Sequence, residues 1–529
     1  VRGDAVTHRP RKPARATTGQ RGLLEVTYDL HVLAASHAAL ASRESPLAAR
    51  LVREIDFPHT GLATRVLQVA PARAASAMAA LRLEPGVKSV TEAGPGLSPL
   101  AVTTPYFPDD PYFTGFKVTA TPVGATAPPA TYLVAPYEES ASVPGQWNMH
   151  AIGLQNAFAY SQANNGSGIT NAAAIGSSTV KIAIIDTGVD TTHPELAGKV
   201  PYQRCFITNP SGVQSTSAFV TDQDGHGTDV AGIAAAATNN GLGFTGAGGN
   251  SVIYAYRVLP TPDDNCLDTN TSDVQCQAQP VDIASAIEDA VAQKVNVISI
   301  SLGSNDVCTS GVDPDTTEGN AVTDAIAANV VVVASSGNGA SAGVNPPACD
   351  SGVIAAGATS LADGQVNGTG TASGSAAAPT EYVASYSNYG TPGAAVRNST
   401  AWGIVAPGGD PDPQASPDDP DDLHWIEDIY TTTPLDSNYG GPCGTDYPYN
   451  TTSGTVDCRV LIAGTSMSAP TVAGAAALIL AVNPSYQSPA RMKSLLCATA
   501  DDIGDGKEGC GRINAYRAMA TALGDPTLP

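Results

Sequence analysis

A chain of 529 residues is long enough for one large domain with a smaller one beside it. Its net charge of −23 argues against a nucleic-acid binder, which needs basic surface to meet phosphates. No apolar stretch approaches the roughly 20 residues needed to cross a bilayer, so a soluble protein is expected. The charge is unevenly placed. Residues 1–96 hold thirteen Lys and Arg against eight Asp and Glu, a charge of +5, which leaves −28 for the rest. Parts of opposite sign attract each other, although a basic tail beside an acidic domain would give the same distribution.

In chain order, residues 1–22 read as a basic tail with too few apolar side chains to build a core. Residues 23–96 show a short rhythm of elements: Leu24 to Tyr28 alternates as a strand does, Ala38 to Ile55 is helix-like, Gly61 to Val69 is strand-like, Pro71 to Leu83 is helix-like, and Val87 to Val90 is a short strand. This predicts a small α+β domain. Residues 97–145 are rich in Pro, Thr, Ala and Gly and read as a linker or a strap over the surface. Residues 146–525 then form the large domain. From Val180 onward apolar strands alternate with amphipathic helices; Ile283, Ile287, Ala290 and Val291 share one helical face, and Val295 to Ile300 reads as a buried strand. Such alternation predicts a three-layer α/β domain, a mostly parallel sheet with helices on both faces and functional groups at its carboxyl edge. Residues 409–460 form an acidic, Pro-rich insert. With Asp418-Asp419-Pro420-Asp421-Asp422 it reads as a solvated loop, though its hard oxygens would also suit calcium.

Nine cysteines in a chain of this size are compatible with an oxidising compartment. Cys266 with Cys276, Cys443 with Cys458, Cys497 with Cys510 and, over a longer span, Cys308 with Cys349 would pair and leave Cys205 over; reduced structural thiols would look the same in the sequence. The first residues contain neither an initiator Met nor an apolar signal core, so a secretion signal is expected to have been removed, with the protein secreted or periplasmic.

Three segments carry chemistry. Asp186 ends the apolar run Val180 to Ile185 and precedes Thr187-Gly188. His226 sits in Asp224-Gly225-His226-Gly227-Thr228. Ser466 sits in Gly464-Thr465-Ser466-Met467-Ser468-Ala469-Pro470, at the mouth of the apolar run Thr471 to Val482. A serine hydroxyl becomes a nucleophile only with a base to take its proton and a group to orient that base, and the three supply these roles together. Alone, each has a plain alternative: an Asp-Thr-Gly turn, a helix start, a buried helix. In the order Asp, His, Ser they resemble the subtilisin-like serine proteases on an α/β scaffold. Ser335-Ser336-Gly337-Asn338-Gly339, Ser299-Ile300-Ser301-Leu302-Gly303, Tyr386 to Gly390 and Val405-Ala406-Pro407-Gly408 extend the resemblance over roughly residues 146–522.

The resemblance implies a serine endopeptidase acting through an acyl-enzyme, with Asp186, His226 and Ser466 as triad. It also implies Asn338 with the Ser466 amide as oxyanion hole, and Ser301, Leu302, Gly303, Ser336 and Gly337 as substrate-binding residues. The small domain resembles the inhibitory propeptide of the same family, and Pro108 to Phe113 followed by Gln146-Trp147 resembles the lead-in to its mature protease. Expected partners are protein or peptide substrates and the chain's own propeptide as intramolecular inhibitor, with no nucleic acid, no membrane and a monomeric state. The chemistry requires no cofactor; structural Ca²⁺ is compatible with the family, its ligands unassigned. His193, in Thr192-His193-Pro194-Glu195-Leu196, resembles a structural segment of the family. No CxxC or HExxH suggests zinc, and no GxxxxGK[ST] suggests a phosphate loop. The rival reading is a catalytically silent binding protein on the same fold.

Overall fold

Two units divide the chain, Val1–Leu100 and Ala101–Pro529. They are seen in a computed structural model that describes residues 23–29, 47, 49–57, 62–84, 87–92, 108, 110, 113, 146–164, 175–208, 214–215, 222, 224–260, 278–304, 316–362, 380–391, 397–410, 426–429, 448–450 and 456–525. The 1–22 tail and Asp418 to Asp422 lie outside these residues, as does most of 97–145.

The first unit is an antiparallel sheet of β1 (Leu23–Asp29), β2 (Arg50–Phe57), β3 (Leu62–Gln68) and β4 (Val87–Glu92), in the order β2-β3-β1-β4. The alternation read at Leu24 to Tyr28 is the cause of its core. Leu24, Val26 and Tyr28 point one way and are buried with Leu67, Val90 and the helix residues Ala74, Ala77 and Leu81. That helix, α1 (Ala74–Leu81), follows a 3₁₀ turn at Pro71–Arg73. The helix-like reading of Ala38 to Ile55 fails at its end, because residues from Arg50 onward form β2. Their backbone groups pair with β3, Ile55 opposite Thr64 and Phe57 opposite Leu62, and this pairing overrides a local preference worth only tenths of a kcal/mol per residue. Residues 38–46 lie outside the described set.

In the second unit the strands are β5 (Lys181–Asp186), β6 (Tyr202–Cys205), the short pair β7 (Ile207–Thr208) and β8 (Gln214–Ser215), β9 (Val252–Arg257), β10 (Val297–Ile300), β11 (Val331–Ser335), β12 (Ile354–Ala362), β13 (Thr380–Val383) and β14 (Ile404–Pro407). Eight of them form one sheet, ordered β13-β12-β11-β10-β5-β9-β6 with β14 also on β12. Every pairing in it is parallel except β12 with β13. Side chains of β5 divide between its faces. Ile182 and Ile184 pack with the helices α4 (His226–Ala235) and α7 (Thr465–Val482), while Ala183 and Ile185 pack with α5 (Pro280–Ala292) and α6 (Thr316–Ala327). A sheet buried on both faces needs apolar residues at successive positions, which is why these strands read as continuous runs. The expected three-layer α/β architecture is therefore present. The remaining helices are α2 (Trp147–Ala151) and α3 (Leu154–Asn164) before the sheet, and α8 (Pro489–Ala498) and α9 (Ala515–Ala522) after α7.

Helix α7 has 18 residues and a mean hydropathy of 1.6, enough by length and composition to approach a membrane span, but 89% of it is buried inside the protein as the central helix of the core. It lies against α4 at backbone distance: a Cβ on Gly474 would stand 2.5 Å from the Ala234 carbonyl oxygen. Cys497 and Cys510 are bonded as expected, tying α8 to the turn before α9, and Cys349 is disulfide-bonded too. Cys205 is buried. The other proposed pairings involve residues outside the described set.

The acidic insert is more than a solvated loop. Within it β15 (Ile426–Ile429), β16 (Pro448–Asn450) and β17 (Val456–Ile462) form an antiparallel sheet ordered β15-β17-β16. Ile426, Ile429, Val460 and Ile462 join the main core. The acidic composition concealed these apolar positions, which only the packing of β15 on α4 selects.

Candidate active site

Asp186 closes β5 at the carboxyl edge of the sheet and is fully buried. Its Oδ1 accepts the Thr187 N–H at 2.7 Å and the His226 Nδ1–H at 2.8 Å, whereas Oδ2 has no hydrogen-bond partner. His226 begins α4. The preceding Gly225 has φ 107°, a left-handed conformation natural to glycine, and a Cβ on Gly227 would lie 2.1 Å from the Gly188 carbonyl oxygen. The glycines around the histidine therefore let the helix start lie directly on the turn that follows Asp186.

A residue not singled out in the sequence, Asp222, holds this junction. It is buried and accepts Thr187 Oγ1 at 3.0 Å, Asp224 N at 3.1 Å, Gly225 N at 2.8 Å, Thr228 N at 2.9 Å and the Thr228 hydroxyl. Burial pushes its carboxyl up to about 6 although those donors favour the charge. Its clue was the run Asp222 to Thr228, in which an acid stands four residues ahead of the helix start at His226 and can reach the first free N–H groups of the helix. Burial of the His226 ring opposes its protonation, but the Asp186 carboxylate, by its charge and its hydrogen bond, outweighs that and raises the pKa above the ordinary imidazole value.

Ser466 is the second residue of α7 and faces the same carboxyl edge. Pro470, four residues on, has no N–H for the Ser466 carbonyl. The Ser301 hydroxyl fills that place, donating to Ser466 O at 2.8 Å, while the Ser466 hydroxyl donates to Ser301 O at 3.2 Å. The strand edge and the start of α7 are thus locked by a reciprocal pair, with the Ser466 hydroxyl turned toward Ser301 O.

Asn338 follows β11. Its Oδ1 accepts Thr465 N at 3.0 Å and Thr465 Oγ1 at 2.8 Å. Because a backbone N–H can only donate, these bonds fix the amide orientation and leave Nδ2 as a donor beside Gly464, 3.5 Å from where a Cβ would stand. Together with the Ser466 N–H at the positive end of the helix, this can receive an oxyanion.

A cleft of about 260 Å³ opens beside Ser466, lined by Ser301, Leu302, Gly303, Ser335, Gly337, Asn338, Gly339, Asn345 and Thr465. The structure brings four of the five expected substrate-binding residues to it. Ser336 is the exception: it is fully buried and donates to the Asn388 carbonyl at 2.9 Å. Successive side chains leaving a strand alternate in direction, so Ser335 takes the cleft position and Ser336 the interior. Asn345, which sequence reading missed, is fixed by donating to Ser304 O at 2.6 Å and accepting from Asn388 Nδ2 at 2.8 Å. His193 is structural: it is buried and its Nδ1 accepts Glu195 N at 3.2 Å, capping a short turn.

Residues 177–516 match the model of the subtilase family, Peptidase S8. The chain is 34% identical over 347 residues to a thermophilic serine proteinase of Bacillus sp. (strain AK1), covering 65% of this chain and 62% of that protein. It is 32% identical over 341 residues to thermitase of Thermoactinomyces vulgaris, covering 64% of this chain and 88% of the relative. Among solved structures, a protease from Pseudoalteromonas arctica PAMC 21717 superposes with a TM-score of 0.50 at 25% identity, over 71% of this chain and 97% of that one. The chain belongs to the subtilase family of serine endopeptidases.

Proposed function

We propose that this chain is a secreted serine endopeptidase made as a proenzyme, with Ser466 as nucleophile, His226 as general base and acid, Asp186 as orienter, and Asn338 with the Ser466 N–H as oxyanion donors. The observation that carries it is the 2.8 Å bond from His226 to a fully buried Asp186 at the sheet edge that also bears Ser466 and Asn338. His226 takes the Ser466 proton as Oγ attacks the peptide carbonyl, then delivers it to the leaving amine; water repeats the sequence to release the acyl group. The charge that develops on the carbonyl oxygen meets donors already in place. This chemistry needs no metal. Extended substrate would run beside Ser301, Leu302 and Gly303 and set one side chain in the cleft. Disulfide bonding at Cys497–Cys510 supports an oxidising destination. The α+β unit 23–96 is read as the inhibitory propeptide, and the active protease as a monomer.

The test is to incubate the intact chain and its Ser466→Ala variant side by side. Only the unaltered chain should cut itself between residues 94 and 112 and then digest casein. Full casein activity with 23–96 attached and uncut would remove the proenzyme reading; cleavage by the Ala variant would remove the nucleophile. Replacing Asn338 by Leu should lower kcat about 10²–10³-fold with KM nearly unchanged, a magnitude known from subtilisin, a member of this family, and not deduced from this chain.

A further inference from the structure

Asp229 lies on α4 one turn beyond His226, is fully buried, and neither carboxylate oxygen has a hydrogen-bond partner. Two other buried carboxylates share the junction, and the three differ in what meets their charge. Asp222 accepts five donors and Asp186 accepts a backbone N–H and the imidazole. Asp229 accepts nothing. An ionised carboxylate that no N–H or O–H group meets is costly in such an interior, whereas the neutral acid is far less so.

We propose that Asp229 holds a proton while the enzyme works, acting as an uncharged positioning residue that keeps a third negative charge away from His226. The proposal rests on the triad reading for its catalytic meaning, though not for its physical test. The surroundings bear on the proton in both directions. His226 on the same helix favours ionisation. Asp186 from β5 and Asp222 from the turn before α4 oppose it, and Asp224 also lies in that turn. Helix α7 brings no ionisable side chain, β9 carries Tyr254, Tyr256 and Arg257, and β15 carries Glu427 and Asp428. Burial first, then the repulsion of Asp186 and Asp222 against the attraction of His226, pushes the Asp229 carboxyl from 3.8 up to about 8.

The sign of the stability effect follows. Between these values the folded state keeps a proton that the unfolded state releases, so stability falls as pH rises from about 4 to about 8 and levels off above. Asn has the same shape and no proton to lose. In a Ser466→Ala background, which prevents self-digestion, the Tm of Asp229→Asn relative to its parent should rise by about 1.5 °C per pH unit across pH 5 to 8. In active enzyme the acid limb of kcat/KM for Asp229→Asn should coincide with that of the parent, because the ring already titrates beside a neutral group.

Parallel Tm curves would overturn the proposal, as would an acid limb displaced downward by roughly one pH unit, the shift expected on removing a charged carboxylate. Should the Asn variant fail to fold, the parent alone decides by infrared spectroscopy. A protonated-carboxyl C=O band present at pH 7 and lost on alkaline titration supports the proposal, and its absence at pH 7 ends it. Neither Tm nor infrared depends on hydrolysis, so an inactive parent showing the band would sink the triad reading alone.

Discussion

Replacing Ser466 by Ala is expected to lower kcat for a peptide substrate by about 10⁶-fold while substrate affinity stays near that of the parent. The residual rate would come from the cleft and the oxyanion donors, which the substitution leaves in place; the magnitude is the one known for subtilisin and is adopted from that relative. The local structure should survive. The Ser466 carbonyl keeps its bond from Ser301 Oγ, the Ser466 N–H remains at the helix end, and only the 3.2 Å bond to Ser301 O is lost. Burst-phase and steady-state kinetics with an ester and an amide substrate check this directly. A variant retaining more than about a tenth of the parent rate would mean that another group attacks the carbonyl.

Replacing Asp186 by Asn should cost about 10⁴-fold in kcat at neutral pH, the loss known for the equivalent change in an unrelated serine protease. The Thr187 N–H and the His226 ring converge on one oxygen of Asp186. Because the Thr187 N–H can only donate, the amide must keep its oxygen at that place; the ring keeps an acceptor but loses the carboxylate charge that stabilises the imidazolium formed in the reaction. Since the Asp186 carboxylate raises the pKa of His226, the acid limb of the residual kcat/KM should move to lower pH in the variant. The same linkage gives a stability signature. A histidine whose folded pKa lies above its unfolded value of about 6.5 contributes stability that is fully present below that value and is lost as pH rises through the folded pKa. The Asn variant should therefore lose most Tm below about pH 6.5, with the deficit shrinking in alkali. A deficit independent of pH would show that packing, and not the ion pair, was disturbed.

The sequence by itself determined the residues whose chemical type has few alternatives. Asp186 was visible because an apolar strand ends on a carboxylate, His226 and Ser466 because glycines and an apolar helix frame them, and the layered sheet because buried parallel strands must be apolar on both faces. Period and composition are local properties, and these features are local. What the tertiary structure decided depends on neighbours distant along the chain. Arg50 to Phe57 became a strand because β3 offers it hydrogen bonds, and the insert placed Ile426 and Ile429 in the core because α4 presents a surface to them. Ser335 faces the cleft and Ser336 the interior because the direction of a side chain leaving a strand is set by register. Asp222 and Asp229 illustrate the same limit. Seven residues apart in one run of sequence, both are buried carboxylates; one meets five donors and the other none, and only the three-dimensional arrangement of N–H and O–H groups determines which of them can carry a charge.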